Sequence, residues 1–334
     1  MNTLHSHAKN KIVSRNPANF EIIGEFPVHT EEQVHQYIQE ARTAQKKWGA
    51  ISVRERKRHI LKIRDFIIRE ADRIAEIISR DNGKTRIDAL AAEVLPAAIA
   101  ANYYARNAAS FLRPQKLKSS AWILSYKRSI IYRRPFGVVG IISPWNYPFS
   151  IPFSEVIMAL LAGNAVILKT ASETQAVGHI LKECIEAGEL PEGVFRYVNI
   201  SGSKAGKAFL EGGVDKLFFT GSVRTGKLLM EMAAKTLTPV SLELGGNDAM
   251  IVLEDADLER AANGAVWAGI QNTGQSCGGV ERIYVHNSVY EPFLNILKSK
   301  VESLRVGQDT DWQVDIGAVT NEKQLETIKE HVEE

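Results

Sequence analysis

Between residues 129 and 253, short runs of β-branched and aliphatic residues alternate with stretches of helical character. This alternation restricts the fold more than any other feature of the 334-residue chain. The apolar runs are SIIYRR, GVVGII, AVILKT, VFRYVNI, KLFFTG, PVSLEL and AMIVL. Four of them, from AVILKT onward, are separated by helix-like segments at 174–188, 203–212 and 223–236. Strands joined in this way by helices run parallel, and the crossovers cover both faces of the sheet. Ligands of such sheets collect beyond the carboxyl ends of the strands, so the residues just after each run are the first candidates for a site.

The flanking regions are of different character. Thr30 with Gln33, and Ser52 with Glu55, are capping boxes that predict two helices near the N-terminus. In the second, Ile60, Ile63, Ile67, Ile74 and Ile77 recur at helical spacing among charged residues, giving one buried stripe. A third helix, rich in alanine, is predicted over 87–110 with a kink at Pro96. Beyond Gly245 and Gly246 the run AMIVL, a helix over 258–271, the strand RIYVH and a further helix make a smaller second region. The expected domains are therefore 1–245 and 246–334.

Composition excludes several classes of function. Basic and acidic residues nearly balance, 41 against 39, which gives no reason to expect a nucleic-acid partner. The basic stretch KRSIIYRR is interrupted by apolar residues and reads as a solvated strand edge. The only two cysteines, Cys184 and Cys277, are far apart, so neither a disulfide framework nor a metal site is expected. The N-terminal twenty residues lack a signal-peptide core and no uncharged run is long enough to cross a membrane; a reducing, cytoplasmic setting is expected.

Four positions could carry chemistry. Cys277, in QNTGQSCGGVERIYVH, sits on a glycine-flanked turn that lets another molecule approach; it is either a nucleophile or a small buried hydrophobe. Cys184, in LKECIEAG, reads as the latter. Glu243 ends a strand among Leu242, Leu244 and Gly245, where poor solvation would raise its proton affinity and suit a general base; the alternative is an ion-paired strand end. Asn146, in ISPWNYPFSIP, lies on a loop stiffened by Pro144 and Pro148. It is either an amide donor to an oxyanion or a cap of the turn. Lys169 ends AVILKT and could reach ribose or phosphate, or could be a plain surface lysine. In KLFFTGSVRTGK a strand runs into Gly221, Ser222 and Gly226 at a helix start, which favours an anion although it departs from the GxGxxG fingerprint.

Taken in order, PWNYP, GNAVILKTASET, FFTGS, LELGGND and GQSC resemble the successive signature motifs of the aldehyde dehydrogenase superfamily. RNPANFEIIGEFPVHT, SVRERKRHILK and DNGKT are similar to its N-terminal helical region, so the likeness runs nearly end to end. It implies a Rossmann-type α/β cofactor domain followed by an α/β catalytic domain, and NAD or NADP as cofactor. Cys277 would be the nucleophile, Glu243 the base, and Asn146 with the Cys277 N–H the oxyanion hole. Ser143, Pro144, Trp145, Lys169, Ser172, Gly202, Gly206, Phe219, Gly221, Ser222, Thr225 and Leu244 would meet the cofactor. An aldehyde would be oxidised to a carboxylic acid through a thiohemiacetal and a thioester. The glutamate in LELGG argues against the branch that passes the thioester to coenzyme A. The segment from about 117 to 135 resembles strands through which the family forms homodimers or homotetramers.

Two departures stand out. Where many NAD-preferring members carry a glutamate three residues after the lysine, this chain has Ser172, which predicts tolerance of NADP. Family chains also continue well past Glu334, through an E-x-F-G-P motif that EPFLN does not replace. The resemblance thus implies an incomplete catalytic domain that, made alone, is weakly active or inactive and prone to aggregate. Two other functions compete: a cofactor-independent cysteine hydrolase, which needs a histidine base that none of the eight histidines is placed to supply, and a cofactor-binding fragment without turnover.

Overall fold

The computed structural model describes residues 11–333; His5, His7 and the first part of the N-terminal segment lie outside the described residues. A hairpin of β1 (Lys11–Arg15) and β2 (Ile22–Pro27) leads into helices α1 (Glu31–Ala50), α2 (Val53–Arg69), α3 (Ala71–Asn82), α4 (Arg86–Ala89) and α5 (Leu95–Leu112). Strands β3 (Gln115–Leu117) and β4 (Ser129–Ile131) form a second, exposed hairpin. The alternating region follows as β5 (Val138–Ile142), α6 (Ser150–Leu161), β6 (Ala165–Lys169), α7 (Gln175–Glu186), β7 (Phe195–Tyr197), α8 (Gly202–Gly212), β8 (Lys216–Gly221), α9 (Val223–Ala234) and β9 (Val240–Leu244). The chain then runs through β10 (Asp248–Val252), α10 (Leu258–Ile270), β11 (Val280–Val285), α11 (Tyr290–Glu302) and α12 (Glu322–Glu333).

Strands β5 to β9 make one parallel sheet in the order β7-β6-β5-β8-β9. Along β5 successive side chains enter opposite layers. Val139 and Ile141 pack with α2, α5, α6 and α7, while Val138 and Ile142 pack with α1 and α8. Burial on both faces is why GVVGII and AVILKT are continuous apolar runs rather than alternating ones. The strand order reverses around β5, so the crevice for a ligand opens where the chain leaves β5 and β8 in opposite directions. β10 and β11 pair parallel in a separate two-stranded sheet, with a small core of Val252, Ala262, Ala265 and Phe293.

Both capping boxes form, Thr30 with Gln33 and Ser52 with Glu55. The helix predicted from Ser52 is interrupted at Glu70, however, and restarts as α3. The break resets the helical phase. Ile60, Ile63, Ile67 and Ile74 are buried as expected, but Ile78 replaces Ile77 in the core. At Pro96 the predicted kink takes a definite form. Residues Leu90–Val94 make a π turn in which the Leu95 N–H donates to the Leu90 carbonyl. The widened turn makes room for a ring that would otherwise strike the carbonyl four residues back. Cys184 is fully buried on α7 and its thiol is pushed up to about 12 by burial, so it is a packing residue.

Candidate active site

Two loops meet to form the site. The first leaves β5 as Ser143-Pro144-Trp145-Asn146 and is held from beneath by a buried ion pair. Lys84 and Glu93 have no exposed side-chain surface and lie 2.5 Å apart. Lys84 also donates to the Asn146 carbonyl (2.8 Å), and Glu93 accepts from the backbone N–H groups of Phe149 (2.7 Å) and Ser150 (3.0 Å). Burial opposes the charge on Lys84, and Glu93 supports it. Asn82 adds a bond to the Trp145 carbonyl at 2.8 Å. The loop is thus clamped at both of its ends.

The second loop carries Cys277. Asn272, Thr273 and Gly274 all have positive φ, at 53°, 59° and 71°. Three left-handed residues in succession turn the chain sharply after α10, a conformation asparagine and glycine tolerate and threonine resists. Asn272 secures the turn. Its buried amide donates to the Asn146 carbonyl (2.9 Å) and the Gln275 carbonyl (3.1 Å), and its N–H donates to Asp88 (3.1 Å). Gln275 accepts from the Thr320 N–H at 3.0 Å. The Asn146 amide donates to the Gln275 carbonyl at 3.1 Å, which brings it to within two residues of Cys277 in the chain. Neither Asn272 nor Asp88 was singled out in the sequence, although the dipeptide NT before glycine signals the unusual turn.

Cys277 is exposed. Glu243 is also exposed, which corrects the expectation that its carboxylate is poorly solvated. The apolar neighbours Leu242 and Leu244 turn to the opposite side of an edge strand and pack towards Gly226, leaving the glutamate face of β9 open. The segment after β9 still reaches the cysteine turn. A Cβ added to Gly246 would stand 3.7 Å from the Cys277 carbonyl oxygen.

A further carboxyl lies behind Glu243. Thr220 and Glu243 are register partners on β8 and β9, and Glu155 of α6 faces them. Its Oε2 is buried without a hydrogen-bond partner. Burial first, and the charge of Glu243 second, push Glu155 up to about 8, with the Thr220 hydroxyl acting the other way. Because the unfolded carboxyl ionises near 4.5, the native protein loses stability as pH rises from that range towards 8. Glu155→Gln, which cannot ionise, is therefore expected to gain stability relative to wild type between pH 5 and pH 8, by up to about 4 kcal/mol. Urea unfolding of both proteins at the two pH values measures this; a difference that does not change with pH would disprove the burial of a charge.

The cofactor candidates line the carboxyl edge of the sheet. Lys169 pairs in register with Ile142, and its carbonyl accepts from the Ser143 N–H at 3.0 Å. It is only 5% exposed, so it is no plain surface lysine. Burial lowers its proton affinity and Glu173 opposes that. Ser172 sits on a short 3₁₀ turn directly after β6. Gly202 opens α8, and a Cβ there would lie 3.7 Å from Lys169 Nζ. Phe219 and Gly221 are on β8, and Leu244 ends β9. Ser222 caps α9 by accepting from the Thr225 N–H at 3.3 Å. Gly206 is buried on α8, where a Cβ would collide with Leu229 at 2.2 Å; it lets α8 and α9 approach. The buried hydroxyl of Ser143 has no hydrogen-bond partner among the described residues.

This edge suits a dinucleotide. It offers a buried cation without a salt bridge among the described residues, the unpartnered Ser143 hydroxyl, and a helix N-terminus, which together can hold hydroxyl-rich and anionic groups. Among the described residues there is no cluster that could hold a metal ion, and no helix is long and apolar enough to cross a membrane.

Comparison with known proteins shows the family. A family model described as the aldehyde dehydrogenase family matches residues 4–334. A Methylomonas protein named 4,4'-diapolycopene aldehyde oxidase is 35% identical over 97% of this chain and 60% of its own length. A Mycobacterium ulcerans (strain Agy99) protein with the provisional name succinate-semialdehyde dehydrogenase NADP(+) 2 is 37% identical over 92% of this chain and 59% of its own. The solved NAD+ complex of an aldehyde dehydrogenase from Bacillus cereus superposes with a TM-score of 0.91 and 30% identity, over 97% of this chain and 65% of that one. The chain spans about 60% of the length of the curated relatives it matches.

Proposed function

Because the chain belongs to the aldehyde dehydrogenase family, we propose that its site oxidises an aldehyde to a carboxylic acid, with Cys277 as nucleophile and NAD or NADP as hydride acceptor. The single observation that carries the reading is the pair of hydrogen bonds joining Asn146 to the cysteine turn, from its amide to the Gln275 carbonyl and from Asn272 to its own carbonyl. They fix the Asn146 loop against the turn that carries Cys277 in advance of reaction, which supports a role for the amide as a preorganised oxyanion donor.

The Cys277 thiolate adds to the aldehyde carbon. A C–S bond forms, the carbonyl π pair moves to oxygen, and the Asn146 amide with the Cys277 N–H receives the resulting oxyanion. NAD or NADP, when bound along the sheet edge, would supply the acceptor for the hydride that leaves this carbon. Glu243 then takes a proton from water, the water oxygen attacks the thioester carbon, and the C–S bond breaks to release the acid and the thiolate. Pro144 and Trp145 would line the approach, while Lys169, Ser143 and Ser172 would hold the adenosine side, and Gly221, Ser222 and Thr225 the pyrophosphate side.

In the same reading the catalytic domain begins at residue 246, and the exposed hairpin near 117–135 joins copies of the chain into a dimer or tetramer. Trp122, Ile123 and Tyr126 there are 90%, 73% and 72% exposed, which supports such an interface. Two free thiols suit a reducing, cytoplasmic compartment.

The test is absorbance of reduced nicotinamide on mixing an aldehyde with NAD or NADP. A hydrolase would turn over without cofactor, and a binding fragment would take up NADPH without aldehyde-dependent reduction. Ser172 adds a quantitative expectation. Ser172→Glu is expected to lower kcat/KM with NADP by at least about tenfold while sparing NAD, since a carboxylate near a 2′-phosphate repels it. Comparing kcat/KM for both cofactors in the two proteins measures the effect, and strict rejection of NADP by the wild type would refute it.

A further inference from the structure

A groove of about 780 Å³ lies between α4, the π turn that follows it, α10 and the end of α11, and reaches Tyr147 and Gln271 at its inner end. We propose that this groove takes the body of an uncharged, predominantly apolar aldehyde and discriminates against aldehydes that carry a carboxylate. The inference rests on the reading of Cys277 as nucleophile, since that sets which end of the substrate lies at the inner end of the groove. Tyr147 stands at that end. It follows Asn146 directly, its hydroxyl is 3.5 Å from the Gln271 amide, and it lies beside Ser276, the residue before Cys277.

The walls are Ile87, Ala91 and Ala92 on one side and Val266, Trp267 and Ile270 on the other. Among residues that line the groove, three carry charge, and each is already engaged. Lys300 pairs with Glu259 at 2.8 Å, Asp315 pairs with Arg305 at 2.9 Å, and Asp88 accepts from the Asn272 N–H. Among the described residues no arginine lines the groove, and the charges of those that line it sum to one negative. A substrate carboxylate would therefore meet two acids and a lysine already held by a third, with no free cation to replace its water. Apolar surface is displaced from water by a hydrocarbon chain at a gain of about fourfold in affinity per buried methylene. Ile87 is 56% and Trp267 66% exposed, so both walls have surface to cover. Pockets of this size and lining accommodate ligands larger than a four-carbon semialdehyde.

The experiment uses the chain as it stands, with Cys277→Ala to prevent covalent capture, and titrates octanal and succinate semialdehyde by tryptophan fluorescence. Octanal is expected to bind at least about tenfold more tightly. Ala92→Trp and, separately, Val266→Trp are each expected to weaken octanal at least about tenfold by filling the groove. Equal or tighter binding of succinate semialdehyde, or octanal binding untouched by both substitutions, would overturn the proposal. Octanal protection of Cys277 against iodoacetamide in the wild-type chain separates the two ideas. Selective groove binding without protection defeats the nucleophile reading alone, and protection by both aldehydes equally defeats the groove.

Discussion

Cys277→Ser is expected to lower kcat for aldehyde-dependent reduction of nicotinamide on the order of 10³-fold or more, in any preparation that shows that activity. The magnitude follows from what the site supplies. In the proposed reading Asn146 would stabilise an oxyanion on whichever atom attacks, but among the described residues no imidazole lies in the two loops to take a proton from a serine hydroxyl. A thiol ionises far more readily than an alcohol, so sulfur can attack where oxygen cannot. Steady-state and single-turnover kinetics measure the loss, and cofactor binding by the same variant shows that the sheet edge is intact. Retention of activity within tenfold of wild type would remove Cys277 from the mechanism, and the roles of Glu243 and Asn146 with it.

Lys84→Met is expected to destabilise the protein by about 3–5 kcal/mol, because it leaves Glu93 charged, fully buried and without its cation. That is a large share of the stability of an ordinary domain. The effect reaches the site, since Lys84 also donates to the Asn146 carbonyl while Glu93 receives the Phe149 and Ser150 N–H groups. Combining Lys84→Met with Glu93→Gln is expected to recover part of the loss. The glutamine has no charge to bury and can still accept one of those bonds. Urea unfolding at neutral pH reads all three variants; a cost under about 1 kcal/mol for the single change would mean that the pair carries no net stabilisation.

Much of the sheet could be read from the chain because its strands are buried on both faces. Apolar continuity in GVVGII and AVILKT is a local property, and so is the hydroxyl-to-acid spacing of the capping boxes. The strand order was not legible. Placing β5 at the centre depends on which edges pair, and pairing is settled by helices packing on both layers at once. The break at Glu70 escaped for a similar reason, as no proline or glycine marks it. Only the shift from Ile77 to Ile78 in the core reveals the change of phase.

The site divides in the same way. Cys277, Asn146 and Lys169 could be picked out from unusual local composition; chain connectivity alone carries Asn146 and Lys169 to the carboxyl edge of the parallel sheet, whereas Cys277 precedes β11 and its turn is brought to the Asn146 loop by packing. The solvation of Glu243 could not be judged from its neighbours. Alternation along β9 sends Leu242 and Leu244 one way and the glutamate the other, and its position at the sheet edge leaves that side open. Asn272, Asp88, Glu93 and Glu155 lie far from one another in the chain and meet only through packing. Residue order was enough to say which groups belong at the strand ends; burial, charge pairing and the donors each group meets arise from long-range contacts, and no short stretch of sequence encodes them.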